Sequence, residues 1–349
     1  MRVAIADSQV SFFHGGAEML ASRLGDAVRA LGHDVEFLRI PLNPADPGDI
    51  GRAMDFSLGE DLTRWIAVPD IVIALRFPAY LVRHPDKRVW LLHQFRQYYE
   101  FYGQTREGGN RDAHDALRAR IVEADTSSLS GAARLWALSK RVAERAARNN
   151  GIAAPPPLYP PPPVEGGHYR GRQERYVFAP SRLEKHKRQW LLIEAMRLVQ
   201  SDVKAVIGGE GGAWEDYGRL IDRHGLRDRV LLTGHVSREV QAAWYANCLA
   251  VFFGPHDEDY GFVTLEAMAS QKPVITCADS GGTLEFVRGG VTGEIIEPEP
   301  VALAEAIDRL AAEPARAARM GREGGELYRA LGLSWERTAS TLIERGANP

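Results

Sequence analysis

The stretch Gly254-Pro255-His256-Asp257-Glu258-Asp259-Tyr260-Gly261-Phe262-Val263-Thr264-Leu265-Glu266 decides the reading of this chain. Before it, Leu249-Ala-Val-Phe-Phe253 is a continuous apolar run, the pattern of a buried parallel strand. After it, Val263-Thr-Leu-Glu-Ala-Met-Ala269 starts a helix, and Gly254-Pro255 and Gly261 punctuate the turn between the two. The first N–H groups of that helix, near Phe262, Val263 and Thr264, have no partner within the helix. They also carry the positive end of its dipole, which makes an anion site. Glu258 in the loop and Glu266 in the first turn are spaced to bracket a ligand whose charged middle sits there. A nucleotide-sugar has that form. The plainer reading is that Glu266 complements the dipole and Glu258 is a solvated loop charge.

Working outward, the same strand–loop–helix grammar recurs along all 349 residues, a length that suits two domains. In the N-terminal part, Val3–Ala6, Val35–Leu38, Asp70–Ala74, Arg88–Leu92 and Arg134–Leu138 read as strands, with an amphipathic helix opened by Gly15-Gly16. Pro155-Pro-Pro-Leu-Tyr-Pro-Pro-Pro-Pro163 then interrupts the alternation and reads as a stiff polyproline spacer. Beyond it, strands are expected at 176–179, 203–207, 230–233, 249–253, 274–276 and 293–296. Helices are expected at 189–199, 214–224, 238–246, 263–270, 283–287 and 300–312. The architecture implied is α/β, two Rossmann-like doubly wound domains facing each other across a cleft, with ligands beyond the carboxyl ends of the strands. The boundaries fall at 1–154, a hinge at 155–166, and 167–330. A last segment, 331–349, holds a helix at Ser334–Glu344.

Composition narrows the function. Hydrophobic residues make up 45% of the chain and charged residues 26%, as in ordinary globular proteins, and a net charge of −3 gives no electrostatic case for nucleic-acid binding. Cys248 and Cys277, both in apolar surroundings, read as buried thiols of a reducing compartment rather than a disulfide. The apolar run at the N-terminus is too short for a signal peptide, and no stretch approaches the ~20 apolar residues of a membrane span. The expectation is a cytoplasmic protein, monomeric or weakly homo-oligomeric, with peripheral contact at the inner face of a membrane left open.

Several loops carry candidate chemistry. Phe12-Phe-His-Gly-Gly-Ala-Glu18 is a glycine loop after the first strand, although G-x-G-x-x-G is absent. His93 closes a strand and leads into Phe95, Tyr98, Tyr99, Phe101 and Tyr102, which read either as a stacking platform for an acceptor or as a locally packed flap. Lys140, Arg141, Arg145 and Arg148 read as a solvated face or as a patch for anionic lipid or polysaccharide. Pro180-Ser-Arg-Leu-Glu-Lys-His-Lys-Arg188 supplies Arg182, Lys185, Lys187 and Arg188, cations suited to phosphate oxygens. The glycines of Ile207-Gly-Gly-Glu-Gly-Gly212, Gly209 among them, leave room for a base or ribose. Asp279-Ser-Gly-Gly-Thr-Leu-Glu285 is a further Gly-Gly turn into a helix.

Taken in order, these motifs resemble the family 4 glycosyltransferases of the two-domain GT-B fold class. The resemblance covers most of the chain and is densest from Ser181 to Glu294. Its marks are Gly-Gly-x-Glu at Gly15–Glu18, Arg-x4-Lys at Arg182 and Lys187, Gly-x-Gly after the next strand, and Gly234-x-Val-Ser237. Glu-x7-Glu at Glu258 and Glu266 and Gly-Gly-x-x-Glu at Gly281–Glu285 complete the set. It implies that Arg182 and Lys187 bind the donor diphosphate with the N–H groups of Phe262, Val263 and Thr264. It further implies Glu266 on the ribose, Glu258 on the donor sugar, Gly15 and Gly16 on diphosphate and sugar from the other domain, and His93 near the transferred sugar. The C-terminal helix resembles the segment that crosses back to the first domain. Two departures are plain: the linker has Tyr-Pro-Pro-Pro where Asn-Gly is frequent, and Asp259-Tyr260 stands where a small-residue turn is common.

The activity implied is retaining transfer of a sugar from a nucleoside-diphosphate sugar to a glycan, lipid-linked or small-molecule hydroxyl acceptor. Surface polysaccharide or lipid-linked glycan assembly is the expected setting. No cofactor and no metal is implied, and Asp257-Glu258-Asp259 reads as sugar contact rather than metal ligation. The rival readings are a nucleotide-sugar epimerase of the same fold and a non-catalytic nucleotide-sugar-binding subunit.

Overall fold

The computed structural model describes residues 1–12, 15–107, 110–162 and 167–344. Phe13 and His14 of the glycine loop, residues 163–166 of the linker and the C-terminal 345–349 lie outside the described residues. The chain divides into two compact units, residues 1–163 with 333–349 and residues 164–332.

In the first unit the chain runs through β1 (Arg2–Gln9), α1 (Gly16–Ala30), β2 (Asp34–Pro41), α2 (Pro47–Gly59), β3 (Ile71–Arg76) and β4 (Lys87–His93). It continues through α3 (Tyr102–Glu107), α4 (Arg111–Ser130), β5 (Arg134–Ala137) and α5 (Lys140–Asn150). Its five strands are all parallel, in the order β2-β1-β3-β4-β5. Helices cover both faces of such a sheet, which is why the central strands β1, β3 and β4 are continuous apolar runs. The order reverses between β1 and β3, and their carboxyl ends meet there.

The second unit runs β6 (Tyr176–Pro180), α6 (Gln189–Ala195), β7 (Lys204–Gly208), α7 (Trp214–Arg223), β8 (Val230–Gly234), α8 (Arg238–Asn247) and β9 (Ala250–Phe252). Then come α9 (Phe262–Ala269), β10 (Val274–Cys277), β11 (Gly293–Ile296), α10 (Pro300–Ala312) and α11 (Pro314–Ala330). Six parallel strands take the order β11-β10-β9-β6-β7-β8, so the switch point lies between β6 and β9.

The last helix, α12 (Trp335–Ile343), packs on α1 within the first unit. Buried Arg88 donates to the Leu342 and Glu344 carbonyls at 2.9 and 3.0 Å, and Arg134 to Glu344 at 2.6 Å. Cations on the last carbonyls of a helix satisfy its C-terminus and complement its dipole.

Several elements differ from the sequence expectation. The helix expected at 283–287 is a single 3-10 turn, Gly282–Glu285. Helix α2 was missed because its Asp-Pro-Gly start reads as a turn; Pro47 sits in the first helical turn and Asp46 caps Gly48 N–H at 2.9 Å. Helix α11 was missed because its glycines argue against a helix. They are there for packing: a Cβ on Gly321 would stand 2.0 Å from the Gln271 carbonyl beyond α9. The proline run is laid along β5 rather than free, since Ala137 N–H donates to Pro156 O and Leu158 N–H to Ala137 O. Trp90 Nε1 also donates to Leu158 O at 3.1 Å.

Candidate active site

At the switch point of the second unit, four strand-end loops are tied to one another. The loop after β6 is held to the loop after β7 by Ser181 N–H to Gly208 O (3.0 Å) and Leu183 N–H to Glu210 O (2.9 Å). Gly209 has φ +120°, and a Cβ there would lie 2.1 Å from the Ser181 carbonyl oxygen. At Gly211 it would meet the Leu183 carbonyl at 2.4 Å. These two glycines let the β7 loop approach the β6 loop closely. Gly212 alone of the three leaves its Cβ position open.

Across the switch point, Lys187 Nζ meets Glu258 Oε2 at 2.5 Å, and both side chains are largely buried. The Phe253 ring stands 5.8 Å from the same ammonium. His256 N–H donates to His186 O at 2.7 Å, so the loops after β6 and β9 are joined through backbone as well. Arg188, grouped by sequence with the phosphate-binding cations, is committed elsewhere. It forks onto both oxygens of Asp279 at 2.7 Å, which holds that carboxyl below the usual range. Arg182 lies half-exposed and pairs with Glu184 at 2.9 Å.

The loop after β9 is stitched to the loop after β10 by Asp257 N–H to Asp279 O and Gly282 N–H to Glu258 O. A Cβ on Gly281 or Gly282 would strike the Glu258 or Asp259 carbonyl at 2.5 Å, which explains the Gly-Gly pair. Gly261, at φ +88°, then launches α9, and no side chain caps it. Phe262 and Val263 are half-buried and Thr264 is fully buried. Among the described residues the buried hydroxyls of Thr264 and Thr283 find no hydrogen-bond partner. Both border Gly261, where a Cβ would be 3.5 and 2.7 Å from them. One turn on, Glu266 accepts a 2.5 Å hydrogen bond from Tyr245 Oη, and burial raises its carboxyl above the usual value.

In the first unit, Gly15 and Gly16 lead into α1, and the glutamate of Gly-Gly-x-Glu shows why it is there. Glu18 Oε2 accepts from Gly15 N–H at 2.9 Å, while Oε1 meets Arg76 Nη1 at 3.0 Å. Arg76, at the end of β3, also forks onto Asp7 at 2.8 Å and donates to Ser8 O at 2.6 Å. Burial works against ionisation of both acids. For Glu18 the charge of Arg76 outweighs it and the carboxyl falls below its usual value, whereas for Asp7 burial prevails and the carboxyl is raised. The Gly15 N–H is therefore occupied. Sequence reasoning missed Asp7 and Arg76; the signal was a charge at the end of each of two apolar strands.

His93 ends β4, and its Nδ1 lies 2.7 Å from Gln94 O. Of the aromatics after it, Phe95 and Tyr98 pack inward, and Tyr99, Phe101 and Tyr102 are half-buried. Phe95 stacks between Phe77 and Tyr98 at 5.0 and 5.5 Å, and Tyr98 Oη reaches His114 at 3.0 Å. Of the two readings, the packed flap is correct. Arg145 likewise leaves the basic patch: it is buried and faces Glu100 at 3.7 Å. Cys248 and Cys277 are both buried and free. Among the described residues no group of three acidic, His or Cys side chains is placed to hold a metal ion, and no helix is long and apolar enough to cross a membrane.

Residues 169–326 match the family model for glycosyl transferases group 1. That region carries the group 1 glycosyl transferase pattern. Among curated members, it is 34% identical over 111 residues to the human alpha-1,3/1,6-mannosyltransferase ALG2, covering 32% of this chain and 26% of that protein. It is 32% identical over 127 residues to the alpha-D-kanosaminyltransferase of Streptomyces kanamyceticus, 36% of this chain and 33% of the relative. The aligned region thus spans about a third of these relatives. Solved structures of the same fold cover nearly all of both chains. The sucrose-phosphate synthase of Thermosynechococcus elongatus superposes with a TM-score of 0.78 at 19% identity, over 97% of this chain and 96% of that one. WaaG, a glycosyltransferase of lipopolysaccharide biosynthesis, gives 0.74 at 15%, over 99% and 100%. HepE, solved with UDP and glucose, gives 0.71 at 16%, over 98% of each. The two parallel α/β units are those of the GT-B class.

Proposed function

We propose that this glycosyltransferase moves a sugar, with retention of configuration, from a nucleoside-diphosphate sugar to a hydroxyl acceptor in glycan assembly. The observation that carries the reading is the meeting of Lys187 and Glu258 at the β6/β9 switch point, in the loop that launches the uncapped N-terminus of α9. A leaving diphosphate needs its developing charge met, and a fixed cation with oriented N–H dipoles does that without reorganising. Lys187, the half-exposed Arg182 and the N–H groups of Phe262 and Val263 take that role. The unpartnered hydroxyls of Thr264 and Thr283 add two donors beside them. Glu258 turns from Lys187 to the donor sugar when the diphosphate arrives, and Glu266, steadied by Tyr245, takes the ribose.

Attack then occurs on the face the diphosphate leaves, with the departing phosphate oxygen accepting the acceptor's proton. The bond to the acceptor oxygen forms as the sugar–phosphate bond breaks. HepE's complex with UDP and glucose supports a uridine nucleotide as the first donor to try. The first-unit residues Gly15, Gly16 and His93 are assigned to the sugar and acceptor, and the side chains named make a metal unnecessary.

The test is a thermal-shift titration with UDP, GDP, ADP, TDP and NAD, followed by transfer assays with and without chelator. One nucleoside diphosphate at about 100-fold over its Kd stabilises by about 2.7 kcal/mol. Response to none of them, or to NAD alone, overturns the reading. Conversion of donor without acceptor would mean an epimerase, and donor binding without turnover a regulatory subunit.

A further inference from the structure

A second site lies in the first unit, at the amino edge of its sheet. Lys87 is the first residue of β4, and its side chain is buried. The ammonium donates to Tyr80 O and Ser128 Oγ, both at 2.8 Å, and both acceptors are uncharged. Among the described residues no carboxylate pairs with it, and burial alone lowers its pKa, to about 8. A buried cation without a counter-charge is costly, and a fold that keeps one usually offers an anion beside it.

The space for that anion is present. Lys87 lines a cavity of about 530 Å³ between α2 and α4, and a neighbouring one of about 350 Å³ shares Lys87, Arg83 and Gly131 with it. The volumes are in the range of small-molecule sites. Arg83 and Arg120 reach the larger cavity from two further elements, and Ser127 and Ser128 bring hydroxyls. Arg120 is held by exposed Asp55 at 2.6 Å, and Glu123 is the carboxylate on the cavity wall. With Arg120 paired to Asp55, Lys87 and Arg83 against Glu123 leave the larger cavity one charge positive, and Asp61 lines the neighbouring one. Its remaining wall, Met54, Leu58 and Leu81, is apolar.

We propose that this cavity is a phosphate-ester site, in which Lys87 supplies a point charge, Arg83 and Arg120 clamp the oxyanion, and Met54, Leu58 and Leu81 receive the carbon body. It is separate from the donor site, which belongs to the second unit, and it does not rest on the functional reading above. A phosphorylated small molecule here would act as a regulator or as an anchor for an acceptor.

The experiment is a thermal-shift titration of the full chain with inorganic phosphate and with glycerol 3-phosphate, against chloride at matched ionic strength. Acetylation of Lys87 is followed in parallel by peptide mass spectrometry. The expected result is a saturable rise in Tm, tighter for glycerol 3-phosphate, with Lys87 protected from acetylation. Affinity falls at least tenfold in Arg83→Ala/Arg120→Ala, whose exposed positions leave the fold intact. It is lost in Lys87→Met and unchanged in Arg182→Ala. Equal shifts in chloride, or no change in the double arginine variant, would overturn the proposal. So would loss of the response in Arg182→Ala, which would place the anion in the second unit.

Discussion

Replacing Asp125 by asparagine tests how the first unit is built beneath the segment that follows His93. Asp125 is fully buried on α4, and its Oδ2 accepts a hydrogen bond from Tyr99 Oη at 2.8 Å. Burial raises its carboxyl from the usual 3.8 to about 7, and the tyrosine hydroxyls offset only part of that. The gap corresponds to roughly 4 kcal/mol, at about 1.36 kcal/mol per pKa unit. The sign follows from proton counting. Between the two values the folded chain holds a proton that the unfolded chain has released, so stability is highest below the unfolded value and falls as pH rises through 7. Asparagine keeps an oxygen for Tyr99 and does not titrate. Asp125→Asn should therefore match the natural chain below about pH 4, exceed it by roughly 1.6 kcal/mol at pH 5, and by up to roughly 4 kcal/mol at pH 8. In a unit of this size that amounts to about 10 °C in Tm. Guanidinium denaturation at pH 5, 6, 7 and 8, followed by tryptophan fluorescence, measures the difference. A gap that stays constant from pH 5 to pH 8 would refute the reasoning, because the carboxyl would then be carrying no burial cost.

Other substitutions address the candidate site. Arg182→Ala and Lys187→Ala should each lower transfer at least 100-fold, about 2.7 kcal/mol of lost charge stabilisation. Circular dichroism should show both folded, and normal turnover in both would end the phosphate assignment. Gly209→Ala places a Cβ 2.1 Å from Ser181 O at a positive φ. It should cost roughly 3 kcal/mol in urea denaturation, from positive-φ strain and overpacking together. Glu18→Ala removes the acceptor of Gly15 N–H and one partner of Arg76, so a loss of about 2 kcal/mol is expected. Glu18→Gln should recover part of that stability, and equal stability of all three chains would dismiss the pinned-loop account.

How much of this was legible in the sequence depends on the distance over which the information acts. The βα alternation, the glycine turns and the helix starts were readable because their causes are local: period, caps and positive φ. Gly261 and the Gly281-Gly282 pair announced loops that the structure has. Local rules also misled or fell silent where packing decides. The glycines of α11 argued against a helix that close approach to Gln271 requires, and the sequence left platform and packed flap open for the aromatics after His93, of which Phe95 and Tyr98 are buried.

By itself the sequence determined the two α/β units, the strand-end position of its chemical loops and the ordered motifs that resemble the family 4 glycosyltransferases. The tertiary structure decided the partners. Lys187 meets Glu258 across 71 residues only because β6 lies next to β9. Arg76 reaches Asp7 and Glu18 because β3 lies next to β1, and Arg188 is spent on Asp279 instead of remaining for phosphate. Sheet order sets these pairings, and sheet order is fixed by the burial of whole strands and helices, which no single loop encodes.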